Sequence, residues 1–411
     1  MSAATLLAGP LVDRSLFGVY LHVPFCQTRC HYCDFVTYTG MEALRRPYAA
    51  ALAAEAELAV AALGDERPTV TSVFVGGGTP TLLPPADLAR VLERLRALLD
   101  HSPEVEVTVE ANPDTVDRPL ADGLVAAGVT RVSLGAQSFD DRVLAALGRT
   151  HDAERAGLAV ATLRAAAAAA GRHLDLNLDL IFGCPGEDAG SWERSLDVAV
   201  AIGPEHLSAY ALTIEPATKF GRLVAAGRMT EPDEDALADR YEQACATLAA
   251  AGYAHYEVSN WALGPRDAGG VPAHASLHNR TYWRRGAYLG LGAGAHEFEP
   301  EGLAHPAGSG GIRRWNVRGV PEYLAAVREG IRPTDGYEAL DERQARFEAL
   351  ALRLRTVDGL DSSEAELLGV DPAGATAAEL RAAGLLAQHP GLRLTEPGMF
   401  MHGEVTSRLA P

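Results

Sequence analysis

The chain is poor in cysteine, with five in 411 residues at uneven spacing. That pattern makes no disulfide framework, and a chain of this length needs none. No apolar run reaches the roughly 18 residues needed to cross a bilayer. Basic charge is also scarce: 36 Lys and Arg stand against 54 Asp and Glu, a net charge of -18. A nucleic-acid partner, which calls for a basic face, is therefore not expected. The opening stretch "MSAATLLAGPLVDR" has a short apolar run with no basic residue ahead of it. It does not read as a signal peptide, and the expected compartment is the cytoplasm. With 47% hydrophobic residues the composition is that of a soluble globular protein, long enough for one large α/β domain and a smaller one.

Short β-branched or apolar runs recur, each closed by Gly, Pro or polar residues: "GVYLHVP" (18–24), "SVFVGGGTP" (72–80), "VEVTVEANP" (105–113), "RVSLGAQSF" (131–139), "LNLDLIFGCP" (176–185) and "LSAYALTIEP" (207–216). Helical patterns lie between them, and the run Ala165–Ala170 fits a helix of the same kind. About six β-α units argue for a parallel sheet, either open or a partial β/α barrel. The unusual residues choose between these. Cysteines follow the first run and "GGGTPT" the second, Glu110 and Gln137 close the third and fourth, and "GCPGED" and Glu215 the fifth and sixth. In a barrel all those ends meet at one mouth, so a partial (β/α)6 barrel is expected. The expected organisation is a leader over 1–17, the barrel core over 18–217, an extension over 218–330, and a C-terminal helical or winged-helix-like module over 331–411. Within the extension, "HNRTYWRRG" and "YLGLGAGAHEF" read as further strands and loops, and "LRLTEPGMFM" near the end reads as a small hairpin.

Three of the five cysteines, Cys26, Cys30 and Cys33, fall within eight residues as C-x3-C-x2-C. Zinc hooks come with a second pair of ligands. None exists here: Cys184 and Cys245 stand alone in apolar segments and read as core. Three thiolates on a 4Fe–4S cluster leave one iron without a protein ligand. S-adenosylmethionine (SAM) can fill that position through its amino and carboxylate groups, and the pair would then supply radical chemistry; the alternatives are a chance cluster of buried cysteines or a zinc hook completed by a histidine such as His31. "GGGTPT" (76–81) would bring backbone groups close to the methionine end. Glu110, Gln137, Arg149 and Asp179 would serve the adenosine hydroxyls and the charged ends.

The motifs "YLHVPFCQTRCHYCDF", "GGGTPT", "EANPDTV", "GVTRVSLGAQSF", "LGRTH", "DLIFGCPGE", "SAYALTIEPATKF" and "HNRTYW" resemble the radical SAM group that contains the oxygen-independent coproporphyrinogen III oxidases, and most closely its haem-chaperone branch. The resemblance runs from about Tyr20 to the C-terminal module. It implies cluster ligation by Cys26, Cys30 and Cys33, and SAM contacts at Tyr20, Tyr32, Gly77, Gly78, Thr79, Glu110, Gln137, Arg149, Asp179 and Ala211. Two features depart from the oxidases. Their cluster motif continues to a fourth cysteine where this chain has Asp34 and Phe35, and they carry a longer segment than the 25 residues ahead of Cys26. "GCPGED" also replaces the usual "GLPGQ", which makes Cys184 and Glu187 less secure as functional positions. The expectation is a carrier that binds haem and delivers it to acceptors such as respiratory cytochromes, with membrane association only through the acceptor and without coproporphyrinogen III oxidase activity. The alternatives are that oxidase itself, or a radical SAM enzyme acting on haem. For the haem, His278 is the candidate axial ligand, with Tyr282 and Trp283 to pack on the macrocycle and Arg280, Arg284 and Arg285 to pair with propionates. His296 is its rival.

Overall fold

The protein is described here by a computed structural model covering residues 12–64, 67–300 and 310–411. Most of the expected leader lies outside those residues. Among the described residues twelve strands form one sheet: β1 (Phe17–Val23), β2 (Val70–Gly77), β3 (His101–Ala111), β4 (Arg131–Gln137), β5 (Asp175–Phe182), β6 (His206–Ala211), β7 (Ala254–Glu257), β8 (Asn260–Ala262), β9 (Ala287–Leu291), β10 (His296–Glu299), β11 (Ile312–Asn316) and β12 (Thr334–Ala339). Their order is β12-β11-β10-β9-β1-β2-β3-β4-β5-β6-β8-β7. The run from β9 to β6 is parallel and its flanks are antiparallel. Among the described residues the sheet ends at β12 and β7 and does not close, as a partial barrel requires.

The strands follow from local chemistry. β1, β2 and β5 bury side chains on both faces, so their sequences are apolar almost throughout. The helices between them start where short acids cap them: Asp117 before Arg118–Ala126, Asp152 before Ala153–Ala169, and Asp188 in a capping box with Ser191 before Ala189–Ile202. The alanine run lies in the second of these helices and its C-cap. Leu, Val and Ala from strands and helices merge into one core that also takes in Cys245, while Cys184 is buried in a smaller cluster with Ile181 and Phe220.

Three local expectations are corrected. "HNRTYW" is not a strand but the end of a helix, Leu277–Trp283, which starts at Ser276 through a hydroxyl cap on the Asn279 N–H. That helix packs on β1, β2 and β9. Its first N–H groups meet a carboxylate from far away in sequence: Glu106 of β3 accepts from Leu277 N and His278 N, both at 3.0 Å. "LRLTEPGMFM" makes only isolated bridges, Leu360 with Leu392 and Leu386 with Leu394, and then the helix Glu396–Phe400 capped by Thr395. Finally, β12 carries the sheet on to Ala339, past residue 330, and the helices Glu342–Leu354, Ser362–Leu367, Ala375–Ala382 and His402–Leu409 follow it. No helix among the described residues is long and apolar enough to cross a membrane.

Candidate functional site

The C-terminal ends of β1–β6 surround a cavity of about 560 Å³. Cys26, Cys30, Cys33, Tyr32, Gly77, Gly78, Thr79, Glu110, Gln137, Arg149, Asp179 and Ala211 all line it. Tyr20, His278 and His296 do not line it. Tyr20 points from β1 onto the same sheet face, stacks on Phe74 at 6.2 Å and shares a 2.9 Å hydrogen bond with His22.

The cysteine loop is held from several sides. Cys26 N donates to Tyr38 O at 2.9 Å, and His31 N to Leu147 O at 3.0 Å. Gly78 N donates to Val23 O and Thr79 N to Phe25 O, so the glycine turn rests on the residues that lead into Cys26. A Cβ at Gly78 would lie 2.6 Å from Phe25 O, so no other residue allows that approach. Arg149 donates to Cys30 Sγ at 3.3 Å, to Gly135 O at 2.7 Å and to Asn112 Oδ1 at 3.1 Å, which puts a fixed cation on one sulfur. Burial pushes the Cys26 thiol up to about 11, and burial also raises Cys33. Free, these two would be protonated at neutral pH; an iron centre must displace those protons to be held. All three are partly open to the cavity and free of disulfides. The donor set thus fits a cluster held by three thiolates, with its open side on the cavity.

Two buried carboxylates face the same space. Glu110 accepts from Gly77 N at 2.9 Å, and burial, reinforced by Asp179, raises it to about 7. Asp179 is also raised by burial, against hydrogen bonds from Ser133 at 2.8 Å and Asn177 at 2.9 Å. Burial thus disfavours ionising both acids, and a cation entering the cavity would favour it. Gln137 ends β4 with φ 67 beside a break in register, a backbone turn that a side chain rarely adopts. Sequence reasoning missed Phe74, Thr108, Ser133, Asn177, Ser208 and Tyr210, which also line the cavity. The signal was the period of two: each alternates with core residues on its strand.

The two histidines sit differently. His278 is 1% exposed. Its ring shares hydrogen bonds with the Ser72 hydroxyl (2.9 Å) and the Tyr282 hydroxyl (2.8 Å) and stacks on Phe74 at 5.2 Å. In this arrangement both ring nitrogens are taken. The neighbouring cations are engaged as well: Arg280 is 3.9 Å from Asp267, Arg284 pairs with Asp358, and Arg285 donates to Gly310 O at 2.9 Å. His296 opens β10 and is exposed, opposite Trp315 in register with ring centres 5.9 Å apart. Its ring has no hydrogen-bond partner among the described residues, and burial and the charges of Arg313 and Arg318 lower its pKa. Arg318 is exposed and its guanidinium is unpaired among those residues. Register puts His296 and Trp315 on the sheet face that carries Tyr20 and Phe74. The turn before His296 touches the cysteine loop, since a Cβ at Gly294 would be 3.1 Å from Val36.

Residues 20–199 match the Radical SAM superfamily and residues 340–401 the HemN C-terminal domain. The chain is 43% identical to the Heme chaperone HemW of Mycobacterium tuberculosis over 84% of its own length and 83% of that protein's. It is 34% identical to the Heme chaperone HemW of Bacillus subtilis over 84% of each. The solved structure of coproporphyrinogen III oxidase (HemN) from Escherichia coli, a radical SAM enzyme, superposes with a TM-score of 0.76 at 21% identity, covering 99% of this chain and 92% of that one. That likeness speaks to the fold.

Proposed function

The chain belongs to the HemW family of radical SAM proteins, and from that premise we propose that it carries haem to haem-requiring acceptors, taking the iron of its cargo on His296. As a radical SAM protein it has a 4Fe–4S cluster and SAM, which supply one-electron chemistry when bound. Cys26, Cys30 and Cys33 hold the cluster, and Gly77, Gly78, Thr79, Glu110 and Asp179 receive SAM. The observation that supports the siting is the open His296 ring. Neutral imidazole is a common haem ligand, Trp315 offers a flat face beside it, and Arg318 offers an uncommitted cation for a propionate. His278 offers no free nitrogen while its ring binds Ser72 and Tyr282.

The test is anaerobic titration of the reconstituted protein with haem, followed in the Soret region, then mixing with a membrane fraction that contains apo-cytochromes. Saturable binding and loss of the band to the membranes support the carrier. Conversion of coproporphyrinogen III to protoporphyrinogen IX at a catalytic rate by the same preparation overturns it in favour of the oxidase. Haem consumption with methionine or methylated tetrapyrroles as products assigns instead an enzyme acting on haem.

A further inference from the structure

At the end of the barrel opposite the cysteines, three side chains of metal-ligand type converge. His173 Nε2 lies 2.6 Å from Asp175 Oδ1, and His274 Nδ1 lies 3.0 Å from Asp175 Oδ2. All the donor atoms are within 4.8 Å of one another. They come from two segments: His173 and Asp175 lead into β5, and His274 stands two residues before Ser276, the cap of the Leu277–Trp283 helix. The group is reachable, with side chains 70%, 15% and 30% exposed in chain order.

We infer that His173, Asp175 and His274 form a site for a divalent first-row cation of the zinc class, separate from the cluster. Two imidazoles with one carboxylate suit zinc and its neighbours and not magnesium or calcium, which take oxygen donors. Three protein ligands leave one tetrahedral position for water. Charge favours a cation. Arg131 does donate to Asp175 Oδ2 at 3.1 Å, but it also pairs with Glu106 at 3.2 Å, so two carboxylates face one guanidinium. Each imidazole must ligate through the nitrogen that now faces Asp175, which moves the ring proton to the other nitrogen. His173 Nδ1 and His274 Nε2 have no hydrogen-bond partner among the described residues, so nothing opposes that tautomer. The bound ion would tie the segment that enters the helix under the cavity to the first residue of β5.

The test is calorimetric titration of zinc chloride into the full-length protein with its cluster reconstituted. One zinc per chain is expected, and His173→Ala and His274→Ala are each expected to weaken it at least about tenfold. His173 is mostly exposed, so that variant retains the fold and decides the matter even if His274→Ala does not fold. Cys245→Ala is the control, because Cys245, His255 and Glu396 are the other convergent donor group among the described residues. Absence of saturable zinc binding, an isotherm unchanged in His173→Ala, or loss of zinc in Cys245→Ala would each overturn the assignment.

Discussion

The turn after β2 and the turn after β9 are built on one plan. Each begins with a glycine of left-handed φ, +110° at Gly77 and +105° at Gly292. Each glycine donates its N–H to a buried glutamate, Gly77 to Glu110 at 2.9 Å and Gly292 to Glu55 at 2.7 Å. Both crowd His22 of the strand between them: a Cβ on Gly77 would lie 2.4 Å from its ring, and one on Gly292 2.4 Å from its carbonyl oxygen. They differ in what they present. The first leads into the cavity with the cysteines, and its Glu110 has an acidic neighbour in Asp179. The second leads to His296 on the open face, and its Glu55 is braced by Tyr323 at 2.7 Å and Asn316 at 2.6 Å. One turn is a cradle whose charge responds to a ligand; the other is a rigid bracket for a side chain.

The largest effects should come from the first turn and its cysteines. Replacing Cys26, Cys30 or Cys33 by Ala should remove nearly all bound iron and the brown absorbance, measured after anaerobic reconstitution. Cys184→Ala and Cys245→Ala should retain both, as those thiols are buried and neither lines the cavity. Next, Gly78→Val should abolish the change that SAM makes in the EPR spectrum of the reduced cluster, because its side chain would collide with Phe25 O and Val23 O. A Gly78→Val protein that still responds to SAM would reduce this turn to a plain connection.

How far these regions were legible follows from how they are held. The six β-α units, the cysteine loop and the glycine turn are each local in sequence, with the apolar runs, turn glycines and polar strand ends adjacent in the chain. The helix at "HNRTYW" is not: its N-terminus is stabilised by Glu106, about 170 residues earlier, and its histidine by Ser72. No local pattern reveals those partners, and a motif with His, Tyr, Trp and Arg looks like an exposed binding segment. Thr395 and Pro397, by contrast, are an ordinary helix start that the hairpin reading overlooked.

The two histidines give a double test. His278→Ala leaves a cavity and strips the Ser72 and Tyr282 hydroxyls of a partner, which should cost about 2–4 kcal/mol of stability, read as a lowered denaturant midpoint. Its haem spectrum should keep its position. His296→Ala should do the reverse: little change in stability, a displaced Soret band, and haem affinity lower by about tenfold, roughly 1.4 kcal/mol. If His278→Ala moves the Soret band and His296→Ala does not, the second turn is no bracket for haem.

The smallest predicted effect separates the two glutamates. Burial raises both Glu110 and Glu55 to about 7, from an ordinary value near 4.5. A carboxyl whose folded pKa is raised binds more protons in the native state than in the unfolded one between those two values. Its contribution is therefore fully present below about pH 4.5 and is lost as pH rises through 7. For one such group the loss between pH 6 and pH 7 is about 1 kcal/mol. Glu110→Gln replaces the neutral acid with an amide that still accepts from Gly77 N, so the fall in stability over that interval should shrink by about that amount, while the share due to Glu55 persists. Adding SAM should act on the same group and not on Glu55: its cationic end favours the ionised Glu110, so binding to the parent protein near pH 7 should release a fraction of a proton, and binding to Glu110→Gln should not. Calorimetry in buffers of different ionisation enthalpy measures that release, and equal proton release from both proteins would show that Glu110 does not meet the ligand.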